Sequence, residues 1–366
     1  MIQVREAVPG DEPALAALER KALQRAPVVF LHEHVPGLGA FLSLQGDEHA
    51  VWVAEEDGVV VGCIADSTHR ARFDGVERRV YYLGGLRVSP DASPRTGFAL
   101  MTRARQRLEE GGHGLGLAVV LSGNAQGLAF VESFTRRLHE VVRAGEVSAS
   151  VLPPLPVYRP TGRSLPRAAR DEDLPAIASL LSSSFARHYG APAFSAGWLA
   201  GTLGRTPGLS IGDFRVVEEG GRLVATAAFW DQRPVRRLCI AGLDAPNRWK
   251  ARAWSALARL SRGVGPDTRG GPLAICHLRF PAAEAGHEAA LADLVRAELA
   301  DARFRRRFAA LFAGFHESDP LRSCLAGLVR FSVPSTVLLT VPKTDPALTA
   351  GTYDPRRPYY VDLSLV

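Results

Sequence analysis

The same order of elements is written into this chain twice, about 160 residues apart, and that limits its fold more than any other feature. In the first copy Ile2-Gln3-Val4-Arg5 reads as a short strand, Pro9-Gly10-Asp11-Glu12 as a turn, and Ala14, Leu15 and Leu18 as a helical stripe. In the second, residues 165–168 are followed by the acidic turn 170–173 and by Leu174, Ile177, Leu180 and Leu181. Each turn has an Asp where its side chain can cap the exposed N–H groups of the next helix. Each copy then carries a hairpin. Strands 51–55 and 59–65 flank Asp57-Gly58, and strands 214–218 and 223–230 flank Gly220-Gly221, residues that take the positive φ of tight turns.

Between the copies, Pro153, Pro154, Pro156 and Pro160 stop regular structure and make a stiff spacer. The expected organisation is a first unit at 1–152, a linker at 153–164, and a second unit at 165–366 with a helical insertion at 247–262. The first unit continues with strand 79–88, whose Gly84-Gly85 suggests a bulge, then helix 97–110, strand 116–121, helix 124–137 and strand 141–152. A further helix is expected around 36–44. The second unit continues with strand 273–280, helix 288–301, strand 308–315, helix 320–328, strand 333–341 and a final strand at 359–366. The expected class is α/β, with a mixed, mostly antiparallel sheet flanked by helices in each unit.

Composition removes several alternatives. No run of eighteen apolar residues occurs, so no membrane span and no membrane partner is expected. The polar N-terminal stretch lacks the regions of a signal peptide, and the four cysteines are widely spaced without a C-x-x-C pair. Buried free thiols in the cytoplasm are the reading. The net charge of +6 comes from arginine, since lysine occurs only at Lys21, Lys250 and Lys343. Arg136-Arg137 and Arg305-Arg306-Arg307 read as solvated helix faces, and without aromatic–basic interleaving nucleic acid is not an expected partner. A monomer or homodimer is expected, and no metal site.

The order of elements, with Leu86-Arg87-Val88-Ser89-Pro90-Asp91 shortly before Gly97, resembles the GNAT acetyltransferase superfamily. The resemblance implies a gap between the fourth and fifth strands that admits the pantetheine arm of acetyl-CoA, or another acyl-CoA. It implies contact with backbone at Leu86 and Val88, and pyrophosphate at the start of the next helix, on Arg95, Thr96, Gly97, Phe98 and Ala99. A helix N-terminus suits an anion in any family, because its N–H groups lack partners. Gly97-x-Ala99 matches the end of the family's loop pattern, while Pro94 stands at its basic position. Asn124 matches an asparagine common after the fifth strand, and it is equally a helix cap. Val131 stands where members carry a tyrosine acid, leaving Ser133 as the substitute on that helix. In the second unit, Glu284 and Glu288 stand where phosphate would bind.

Acyl transfer to a small amine needs a base, a proton donor and a backbone donor for the oxyanion. Glu33, in the polar segment His32-Glu33-His34, and Tyr82, which faces opposite to Tyr81, are the candidates beside Ser133. Taken by itself, His32-Glu33-His34 reads first as an exposed polar loop. His316 and Glu317, at the end of strand 308–315, form a second candidate pocket, with Asp319 as the cap of the following helix. Two functions stay open: an N-acyltransferase working from its first unit, or a GNAT-like protein that binds a ligand or partner without catalysis.

Overall fold

The computed structural model describes residues 1–22, 28–111, 115–136, 139–162, 165–343, 353–354 and 356–366, so Arg137 and the linker residues 163–164 lie outside them. The first half contains β1 (Ile2–Glu6), α1 (Glu12–Lys21), β2 (Val28–His34), α2 (Leu38–Leu42), β3 (Glu48–Glu56), β4 (Val59–Phe73), β5 (Val76–Val88), α3 (Thr96–Glu110), β6 (Leu115–Leu121), α4 (Ala125–Thr135) and β7 (His139–Leu152). The second contains β8 (Arg167–Ala168), α5 (Leu174–Ser184), α6 (Ala196–Arg205), β9 (Phe214–Glu219), β10 (Arg222–Asp231), β11 (Arg236–Leu243), α7 (Ala245–Leu260), β12 (Ile275–Ala283), α8 (Glu288–Ala300), α9 (Ala302–Arg307), β13 (Ala310–His316) and β14 (Phe331–Pro342).

The repeated openings fold alike down to their ion pairs. Arg5 holds Asp11 at 2.7 Å and also reaches Glu55 on β3, while Arg167 holds Asp173 at 2.7 Å and reaches Glu218 on β9. The two aspartates do not cap their helices as expected. Each turns back to accept the N–H three residues earlier, from Val8 and from Arg170, because the arginine pulls the carboxylate to that side. Both hairpin turns have their expected positive φ, at Asp57-Gly58 and Gly220-Gly221.

Among the described residues, twelve strands form one sheet in the order β1-β3-β4-β5-β6-β14-β7-β13-β12-β10-β9-β8. The order is nearly a mirror image about its centre. There the closing strands are exchanged: β14 of the second half pairs with β6, and β7 of the first half pairs with β13. The largest core cluster lies in the second half around Trp230, Phe214 and Phe280, and a separate one surrounds Leu115, Val337 and Tyr359 at the seam. The proline-rich segment is fastened down, with Leu155 and Tyr158 buried and Asp293 of α8 accepting the Thr161 N–H at 2.8 Å.

Three local expectations differ. His32-Glu33-His34 is not a loop but the end of β2, which pairs with β11 more than 200 residues away. The helix expected at 320–328 is a 3-10 turn over Pro320–Leu325, capped by Asp319 as expected. The end of the chain is not a strand, since only Tyr359 makes a β-bridge, to Tyr189. The four cysteines are buried and unpaired.

Candidate active site

The site begins where two strands part. β5 and β6 run parallel but pair only through Val80, Tyr81 and Tyr82 with Leu115, Gly116 and Leu117. Beyond Leu117, β6 continues along β14, while β5 stays with β4 through a bulge between Gly84 and Arg87. Gly85 sits there at φ +65, where a side chain would be strained. Among the described residues, the last residues of β5 are thus left without a strand on their β6 side.

A cavity of about 370 Å³ opens at this bulge, on the face of the sheet covered by α1 and α2. Its wall includes Tyr82, Gly84 and Gly85 from β5, His32 and Glu33 from β2, and Arg236 from β11. Tyr81 takes the opposite face and donates to the Ala104 carbonyl of α3 at 3.2 Å. Burial, reinforced by the Arg236 charge, pushes His34 down to about 3 and His32 well below its ordinary range. Both imidazoles are neutral at neutral pH. Burial lifts the Tyr82 phenol to about 12, so it keeps its proton. Arg236, brought down to about 10 by burial, stays charged, donates to the Gln232 side chain at 2.9 Å and to the Ser364 carbonyl, and lies over Phe41. Glu33 is more open, with Arg20 at 3.6 Å.

The expected cofactor residues lie at the end of β5, the start of α3 and the start of α4. Leu86 and Val88 are half-buried against the core cluster around Ile64 and Leu100, which Phe130 of α4 also covers. Gly97 lies next to Phe130 and Val88, and the exposed Phe98 meets Phe130 edge-on at 5.2 Å. Arg95 is exposed, whereas Thr96 is buried and donates through Oγ1 to Glu56 at 2.8 Å. The Ser93 N–H also binds Glu56, at 3.1 Å. A resident carboxylate therefore sits at the start of α3. Ala99 makes the first helical bond to Arg95. Asn124 caps α4 by accepting the Gly127 N–H at 2.9 Å.

The structure brings Glu33 and Tyr82 together in one cavity but leaves Ser133 outside it. The Ser133 hydroxyl is exposed and bonded to the Phe130 carbonyl of its own helix. His316 and Glu317 correct a second expectation. His316 is buried with both ring nitrogens engaged, one at 2.7 Å from the Ala144 carbonyl and the other accepting the Ser318 N–H. Glu317 accepts the Glu146 N–H. Together they clasp β7 at Gly145, which has φ +94 and no room for a Cβ. His316→Ala is expected to cost about 2–3 kcal/mol, from the unpaired Ala144 carbonyl and lost packing. Chemical denaturation checks this, and ligand binding by the folded variant should be unchanged.

The second half repeats the opening and then fills it. β12 and β13 are parallel over only three pairs, Ile275 to His277 with Ala310 to Phe312. The end of the chain lies across that gap. Asp362 pairs with buried Arg279 at 2.7 Å, and Leu363 packs on Gly314. The space left is about 30 Å³, roughly one water.

Residues 16–134 match the acetyltransferase (GNAT) family. No curated protein matches the chain in sequence. Among solved structures, Saccharomyces cerevisiae N-myristoyltransferase with bound myristoyl-CoA is 12% identical, with a TM-score of 0.61 over 98% of this chain and 84% of that one. A GCN5-related glucosamine N-acetyltransferase region of a fungal GH3 beta-N-acetylglucosaminidase is 13% identical, with a TM-score of 0.60 over 93% of this chain and 38% of that one. A GCN5-related N-acetyltransferase from Kribbella flavida is 10% identical, with a TM-score of 0.52 over 93% of this chain and 72% of that one. The class is therefore a mixed α/β fold built on a parted sheet, shared with these structures. Residues 16–134 are thus similar to the GNAT family, and the chain as a whole has the GNAT fold. No helix among the described residues is long and apolar enough to cross a membrane.

Arg236 and Glu56 were missed by the sequence reading. Arg236 enters from the second half through the β2–β11 pairing, which leaves no local signal. Glu56 is an ordinary residue before a hairpin turn, and its reach to α3 exists only in the folded chain.

Proposed function

We propose that the chain is an N-acyltransferase that moves an acyl group from acyl-CoA to an amine, working from its first half. The observation that carries this reading is the parting of β5 from β6 directly beside a cavity of about 370 Å³. Bound acyl-CoA, acetyl-CoA or a longer thioester, supplies the activated carbonyl. Leu86 and Val88 offer backbone to its arm. Residues 95–99, at the start of α3, offer its pyrophosphate a positive dipole end and the N–H groups of Gly97 and Phe98, since those of Arg95, Thr96 and Ala99 are bonded within the turn. The amine lies in the cavity, where Glu33 takes its proton as the carbon–nitrogen bond forms. Tyr82, held protonated, donates to the sulfur as the carbon–sulfur bond breaks. The plugged gap of the second half supports assigning the reaction to the first. Residues 1–152 and 165–366 are then two copies of one unit, joined by the segment 153–164.

A second reading has its own support. The carboxylate of Glu56 already binds Ser93 and Thr96 at the start of α3, and Phe130 and Val88 both lie beside Gly97. A chain that keeps these contacts would use the cavity without coenzyme A. The charge of Glu56 separates the two. In the enzyme reading it opposes pyrophosphate, so Glu56→Gln should tighten acetyl-CoA binding by roughly two- to thirtyfold, as a like charge at a helix terminus is removed. Titration calorimetry on wild type and variant measures it. No binding by either protein favours the second reading.

A further inference from the structure

Helix α7 presents an apolar face to solvent. Trp249, Leu257 and Leu260 are 72%, 43% and 84% exposed, and Ala253 and Ala256 beside them are exposed as well. Their spacing puts all five on one side of the helix, over a length of about 24 Å for the full element. It is not the side that packs on the protein, which carries Ala251 and Ala258. Trp254 extends the apolar surface by stacking on the half-exposed Phe331 at 5.8 Å.

Charge decides what fits this face. Residues 245–266 contain Arg248, Lys250, Arg252, Arg259 and Arg262 and no acidic residue. Lys250 falls on one flank of the apolar stripe and Arg248, Arg252 and Arg259 on the other. Those three arginines also border an open groove of about 810 Å³, whose wall is completed by the loop carrying Asp267 and Arg269. The acid of that wall, Asp267, accepts the Arg269 N–H at 2.7 Å. A continuous apolar stripe flanked on both sides by cations is the pattern of a helix lying in the interface of an anionic bilayer. A nucleic acid would match the cations but leave the leucines in water.

We infer that α7 docks the protein peripherally on an anionic lipid surface, with Trp249, Leu257 and Leu260 inserted and the flanking arginines at headgroup phosphates. This is contact with a surface, not a span, and it stands independently of the acyltransferase reading.

The test is co-sedimentation of the full chain with phosphatidylcholine vesicles, with and without phosphatidylglycerol. Binding should require the anionic lipid, weaken with salt, and shift Trp249 emission to the blue, read as the difference from Trp249→Phe. Removing charge with Arg252→Gln and Arg259→Gln should weaken binding about fivefold per site. The pair Trp249→Ser and Leu260→Ser should weaken it roughly tenfold or more per site, with the melting temperature unchanged. Absence of binding at low salt overturns the inference, as does binding indifferent to the Trp249 and Leu260 changes. So does a dimer that dissociates with Leu260→Ser, since a second copy would then cover the face. Equal affinity for duplex DNA that survives Trp249→Ser overturns it too.

Discussion

Expressed alone, residues 1–152 will not give a cooperatively folded protein, and neither will residues 165–366. The reason lies in the exchange of closing strands. Both neighbours of β7, β14 and β13, come from the second half, and β14 lies between two strands of the first. The β7–β14 contact alone runs from Phe331–Val151 to Pro342–His139. Without β14, buried Leu115 and Leu117 lose Val337 and Leu339, and β6 and β7 become bare apolar edges prone to aggregation. Calorimetry or circular dichroism on each fragment should show no sharp transition, and co-expression should restore one. A monomeric 1–152 fragment with its own cooperative melt would show that the seam is dispensable.

Glu33→Gln should lower kcat by roughly 100- to 10,000-fold, the range expected when a general base is lost. Glu33 is the carboxylate of β2 at the cavity, with an arginine at 3.6 Å on its open side. The neighbouring histidines are poor substitutes, because burial keeps their basicity low. The exposed pair with Arg20 contributes about 0–1 kcal/mol, so the variant should melt near the wild type. Thiol release from acetyl-CoA, measured with the best acceptor from a panel of primary amines, gives the rate. Acetyl-CoA affinity should be unaffected. An unchanged rate would remove Glu33 as the base.

Much of the scaffold was legible because its signals are local. The hairpins announced themselves through Asp57-Gly58 and Gly220-Gly221, and the bulge through Gly84-Gly85. What failed depends on distant partners. The segment 28–34 becomes a strand only because β11 lies beside it. The closing stretch 359–366 has an alternating pattern, yet its buried residues fill the gap of the second half instead of joining a sheet. Asn124 was open between cap and ligand, and the Gly127 N–H takes its oxygen. His316 and Glu317 stand at a strand end in the way site residues do, and sequence could not tell a site from a clasp on Gly145. Ser133 was the substitute for the tyrosine that Val131 replaces, a role that the helix geometry withholds.

The most direct test is the melting curve of the wild type and Gly97→Glu in acetyl-CoA and longer acyl-CoAs. A ligand that binds only the folded chain stabilises it by about 2.7 kcal/mol at a hundredfold excess over Kd, a shift of several degrees. A Cβ at Gly97 would meet Phe130 and Val88 at 3.8 and 3.9 Å, ordinary contact, so Gly97→Ala controls for bulk. The account predicts a rise for the wild type and Gly97→Ala, and none for Gly97→Glu, whose charge would face the pyrophosphate. A wild-type curve unmoved by millimolar acyl-CoA, or a shift that survives Gly97→Glu, would contradict it.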